Sequence, residues 1–149
     1  MKFDISMDEL RSRFELLSPE DKKKAYKVLS AVGIDLSKRK DDLTGTRVSG
    51  FILENRFYEA DSHKSVFLQV AEIVLKKHPN DQDKIFKIQG TKKKYFSKNF
   101  GEFTHDYEII RGTRIYADTN ENAAQLNRRC QKILLLFGID PSSLMVIPT

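Results

Sequence analysis

The apolar residues of this chain change period at Val48, and that change decides its fold class. Before it, Leu10, Phe14 and Leu17, then Ala25, Val28, Leu29 and Val32, recur at the three- and four-residue spacing of helices with one buried stripe. From Val48 onward, short β-type runs alternate with two longer helical stretches, at 66–75 and 123–137. Such a chain is expected to be α+β: an antiparallel or mixed sheet with two main helices packed on it, preceded by a short N-terminal helix pair.

Local signals place the elements. Ser6 and Glu9 have capping-box spacing and start a helix running to about Leu17. Ser18 caps a second helix with Pro19 at its first position and Gly33 at its end. The polar, charge-rich stretch 35–47 reads as a linker, so the expected division is a helical pair over 1–34, a linker over 35–47 and an α+β domain over 48–149. Within that domain, Val48 to Tyr58 turn about Glu54-Asn55-Arg56 as a hairpin, and Asp61 or Ser62 starts a helix that ends before Pro79. Residues 84–98 read as an extended Lys-rich segment, and 106–110 with 113–117 as a second hairpin. Thr119 or Asn120 is expected to cap the last helix, Gly138 to end it, and Ser143–Ile147 to form a final strand.

Composition narrows the chemistry. With 149 residues, 40% of them hydrophobic, the chain is long enough to bury a core. The single cysteine, Cys130, rules out an internal disulfide and a Cys-rich zinc site. No run approaches the roughly 18 apolar residues of a membrane span, and the first residues have no secretion-signal pattern, which points to a cytoplasmic protein without a membrane role. The histidines, at 63, 78 and 105, lack metal-ligand spacing, and no phosphate-cradling loop or nucleophile elbow is present. No metal, cofactor or catalytic residue is therefore expected, and the chain reads as a non-enzyme.

The charge is uneven. Twenty-six Lys and Arg against 21 Asp and Glu give a net +5, yet between Lys84 and Asn99 there are six lysines and no acid. Lysines neutralise phosphates and neighbouring aromatics stack on bases, so nucleic acid, DNA or RNA, is the first partner expected. The candidate contacts are Lys84, Lys87, Lys92, Lys93, Lys94, Tyr95 and Lys98, with Tyr95 or Phe96 stacking. Arg114, Arg128 and Arg129 extend the patch, and Asn120 offers a helix N-terminus to an anion. The expectation requires these cations to share one exposed face. The competing expectation for Lys and Arg is a solvated strand edge, with ion pairs to Glu108, Asp118 or Glu121.

Gly90-Thr-Lys-Lys-Lys-Tyr-Phe-Ser-Lys-Asn99, Gly112-Thr-Arg-Ile-Tyr-Ala-Asp-Thr-Asn120, Ala123, Cys130 and Leu134-Leu-Leu-Phe-Gly138 carry a resemblance. Over residues 50–147 the chain resembles an uncharacterised bacterial and phage domain found at the C-terminal ends of restriction-like, helix-turn-helix-containing and other defence-associated proteins. It departs from that pattern at Thr91, Lys93, Lys94 and Glu121-Asn122. The resemblance implies an accessory or recognition module. Two other functions remain open: a protein-interaction or self-association domain using the N-terminal helices, and a small hydrolase or RNase using His63 or His105 with a lysine.

Overall fold

The computed structural model describes residues 3–32, 42–45 and 47–148. In chain order the elements are β1 (Phe3–Ser6), α1 (Met7–Glu15), α2 (Pro19–Ala31), β2 (Asp42–Gly45), β3 (Val48–Leu53), β4 (Arg56–Glu59), α3 (His63–Lys77), β5 (Phe96–Ser97), β6 (Tyr107–Ile109), β7 (Tyr116–Asp118), α4 (Ala123–Leu136) and β8 (Leu144–Pro148). Short 3-10 turns lie at Gln82–Lys87, Phe100–Glu102 and Pro141–Ser143. The fold is α+β with an N-terminal helix pair, and every strand pairing is antiparallel. Among the described residues the strands form three small sheets, with orders β1-β2, β4-β3-β8 and β5-β7-β6. None of the described helices is long and apolar enough to cross a membrane.

The chain separates into two compact units, one of residues 1–66 with 142–149 and one of residues 67–141. This differs from a division at residues 34 and 47, and the reason is burial. Met7, Leu10, Leu17, Ala25 and Leu29 of the N-terminal helices share one core with Ile52, Phe57, Met145 and Ile147 of the three-stranded sheet. The helix pair is thus the cover of the first unit's sheet. Ser6 Oγ accepts from the Asp8 N–H and Ser18 Oγ from the Asp21 N–H, so both starts are capped by the serines their spacing marks. Arg13 donates to the Ser142 carbonyl oxygen at 2.7 Å, and the buried Asp21 carboxylate faces Arg56 of β4 at 3.6 Å, which pins the helices to the strands. Of the expected linker, 35–41 lie outside the described residues, as does Gly33, while Asp42–Gly45 pairs with β1.

The β3–β4 hairpin turns on Glu54 and Asn55, both at positive φ (48° and 63°), the backbone that matches the twist of a two-residue turn. At Gly50 a Cβ would lie 2.7 Å from the Tyr58 carbonyl oxygen and 2.8 Å from the Phe57 ring, so glycine lets that ring lie across β3. β8 pairs along the other edge of β3, making β3 the central strand.

In the second unit, α3 buries Phe67, Val70, Ala71, Val74 and Leu75, and α4 buries Leu126, Cys130, Ile133 and Leu134. Phe67 meets Phe96 of β5 with ring centres 6.0 Å apart, which sets α3 against the sheet. Asn122, not Thr119 or Asn120, caps α4, its Oδ1 accepting from the Gln125 N–H at 2.9 Å. Gly138, at φ 75°, ends that helix as expected, its N–H reaching the Leu135 carbonyl and the Ile139 N–H the Leu134 carbonyl.

Candidate nucleic-acid interface

The Lys-rich segment is not extended. Gln82–Lys87 winds as a 3-10 turn with Ile85 buried and Lys84 and Lys87 exposed. Only Phe96 and Ser97 join a sheet, and the Gln89 side chain takes over pairing that a strand would supply. Its Oε1 accepts from the Tyr95 N–H at 2.7 Å and its Nε2 donates to the Phe96 carbonyl at 3.0 Å. The backbone between them is left as a loop presenting Lys92, Lys93 and Lys94.

Those three lysines have different fates. Lys93 Nζ lies 2.9 Å from Asp118 Oδ2 and 2.7 Å from Glu121 Oε1, and donates to the Asn120 carbonyl. Arg129 joins the same cluster from α4: Nη1 is 3.2 Å from Asp118 Oδ2 and donates to the Asp118 carbonyl, while Nη2 is 3.0 Å from Glu121 Oε1. Arg129 and Asp118 are both 3% exposed. Asp118 Oδ2 thus faces both Lys93 Nζ and Arg129 Nη1, and Glu121 Oε1 both Lys93 Nζ and Arg129 Nη2, so two cations and two carboxylates compensate one another. Burial works to lower the Lys93 pKa, but hydrogen bonds and charge attraction from Glu121 and Asp118 together outweigh it and hold the ammonium above its ordinary value.

Tyr95 belongs to this cluster as well. The Arg129 guanidinium sits 3.6 Å from its ring centre, occupying a face that a base would need. Phe96 is fully buried. Neither aromatic expected to stack presents a free face on this side, and Lys93 and Arg129 already hold two carboxylates. Asn120 is tied in from its N–H, which reaches Asp118 Oδ1 at 3.3 Å.

The remaining cations are exposed. Lys94 pairs with Glu102 at 3.2 Å and Lys98 with Asp83 at 3.1 Å, and both lysine side chains remain 58% exposed. Lys84, Lys87, Lys92, Arg114 and Arg128 have no carboxylate within ion-pair distance among the described residues. Lys94 and Lys98 line a cleft of about 380 Å³ with Phe86, Gln89, Asn99 and Glu102. Lys98 also lines a second cleft, of about 360 Å³, with Gln82, Asp83, Thr113 and Arg114. Lys94, Lys98 and Arg114 are thus gathered along two clefts sharing one lysine. By contrast, a cleft of about 480 Å³ in the first unit, beside Val28, Val48, Glu59, Ala60 and Asp61, is lined by no cation among the described residues.

Four aromatic side chains that the sequence did not single out cluster in the same unit. Phe100 and Tyr107 stack with ring centres 6.1 Å apart, Phe103 and Tyr107 at 5.4 Å, and Tyr116 meets Phe100 and Tyr107 edge-on at 5.8 and 5.9 Å. Phe100 is 56% exposed and Tyr107 38%. The register explains the grouping: Tyr116 lies opposite Ile109 and Ser97, so these side chains share one sheet face with Tyr107, while Ala117, Phe96 and Glu108 take the other. The only trace of this in the sequence is the tyrosines at 107 and 116, which cannot be assigned to one face without the register.

Cys130 is buried and its thiol is pushed up to about 12 by desolvation, so it is not a nucleophile at neutral pH. The described residues contain no group of three His, Cys, Asp or Glu side chains placed to hold a metal ion. Comparison with family models, with curated proteins and with solved structures finds no match for this chain.

Proposed function

We propose that this protein is a nucleic-acid-associated recognition module whose contacts lie on the second unit. The observation that carries this is the distribution of charge. Residues 67–141 hold 13 Lys and Arg against nine Asp and Glu, a net +4, so this half of the chain carries nearly all of the whole-chain +5. Lys94 and Lys98 are held by exposed ion pairs, with Lys98 also 5.9 Å from the centre of the Phe86 ring, and such pairs are worth about 0–1 kcal/mol, so exchanging those carboxylates for phosphates costs little. Lys93 and Arg129 make the opposite case and serve as scaffold. The resemblance of residues 50–147 to modules attached to defence-associated proteins is the reason for reading an accessory role rather than a catalytic one.

Binding of labelled DNA and RNA oligonucleotides, followed by fluorescence anisotropy at about 50 mM salt, tests the proposal. Affinity is expected to fall steeply with added salt, the log–log slope growing by about 0.7–0.9 per phosphate contact. The double variant Lys94→Glu with Lys98→Glu is expected to abolish binding while leaving the Asp118 cluster intact. Absence of binding at low salt, or binding unchanged in that variant, would overturn the proposal.

A further inference from the structure

Phe100, Phe103, Tyr107 and Tyr116 form a four-ring cluster, with Tyr107 and Tyr116 on one face of the β5-β7-β6 sheet and Phe100 and Tyr107 exposed to solvent. Monomeric folds bury such rings unless they have a task, because each ring left in water forgoes a large hydrophobic gain. Phe100 sits in the 3-10 turn between Asn99 and Glu102, two residues that line the Lys94–Lys98 cleft. Tyr116 follows Arg114, which lines the adjoining cleft with Lys98. Exposed rings and exposed cations therefore alternate along neighbouring stretches of the chain, 94–107 and 114–116.

Resting on the function proposed above, we infer that the ligand is single-stranded nucleic acid, with unpaired bases stacking on Phe100 and Tyr107 and the backbone running over Lys94, Lys98 and Arg114. A duplex hides its base faces in its own stack and gains nothing from exposed rings, whereas every unpaired base has a π-face to offer. Charge argues for this occupant over an acidic-surfaced or purely apolar protein. The acid of β6, Glu108, points to the opposite sheet face from the rings, and Asp118 is enclosed by Lys93 and Arg129. The rings form a platform rather than a slot, so base identity is expected to matter little.

The probe is a fluorescein-labelled oligothymidylate of about 16 nucleotides, compared with an abasic strand of equal length and with the matching duplex, all by anisotropy on the full chain. The oligothymidylate is expected to bind about 5- to 150-fold more tightly than the abasic strand, and Phe100→Ala or Tyr107→Ala each to remove a comparable factor. Tyr107→Phe keeps the ring and is expected to retain binding, and unchanged thermal melting of the exposed-ring variants confirms that the fold is kept. If all three probes bind equally and only Lys94→Glu with Lys98→Glu weakens them, the single-strand inference fails while the electrostatic function stands. If nothing binds, both fall. If light scattering shows a dimer that Phe100→Ala converts to monomer, the rings are a self-association surface and the inference is overturned.

Discussion

At the scale of single residues, Arg129 is the most committed side chain in the second unit. Its guanidinium is 3% exposed, faces Asp118 and Glu121, and covers the Tyr95 ring. Removing one partner of a buried ion pair leaves the other charge desolvated, which costs about 3–5 kcal/mol, far above an exposed pair's worth. Arg129→Met is therefore expected to lower stability by about 3 kcal/mol in urea denaturation, with Lys94→Met at most about 1 kcal/mol. Lys93, at 31% exposure, lies between them and adds a pH signature. Because its pKa is raised in the folded state, its stabilisation is fully present below its ordinary value of 10.5 and is lost as pH climbs through the higher folded value. The stability gap between wild type and Lys93→Met should be constant across neutral pH and narrow in strongly alkaline buffer. A gap that stays constant through strongly alkaline buffer would contradict this assignment.

At the scale of elements, the start of α4 separates local rules from tertiary ones. Asn122 supplies the cap, whereas Asn120 is held by backbone bonds to Asp118 and Lys93. Asn122→Ala is expected to cost about 1 kcal/mol by thermal or urea unfolding. Asn120→Ala should change stability by less than about 0.5 kcal/mol, since its side chain makes no contact a cap would make. Thr119, Asn120 and Asn122 can each cap a helix as far as the sequence is concerned, and the choice falls to where β7 delivers the chain. Periodicity carried the helices, both hairpins and the final strand, because each is a local pattern of burial. It failed at 84–98, where one long-range device, the Gln89 amide bonded to the backbone of Tyr95 and Phe96, replaces a strand ladder. The candidate site was legible only as charge. Which lysines are consumed depends on Asp118 and Glu121, more than 20 residues away in the chain, and the ring cluster depends on the β6–β7 register.

At the scale of the whole molecule, the first unit is discontinuous in sequence and the second is not. β8 leaves the second unit's span at Pro141 and returns to pair with the central strand β3 from Val48 to Leu53. It also places Met145 and Ile147 beneath the N-terminal helices. Losing two buried side chains of this kind costs about 2–5 kcal/mol each, before the unpaired edge of β3 is counted. A domain's whole stability is about 5–15 kcal/mol, so the first unit has no margin for that loss. Residues 67–141, by contrast, are continuous in sequence and hold the Phe67–Phe96 contact between α3 and β5 within themselves. A chain ending at Pro141 is therefore expected to lose hydrogen-exchange protection in α1, α2, β3 and β4 while α4 and the second half of α3 stay protected. Uniform loss of protection throughout would mean that the two units share one cooperative transition, and retained protection in β3 would mean that the helix pair and the hairpin suffice without their third strand.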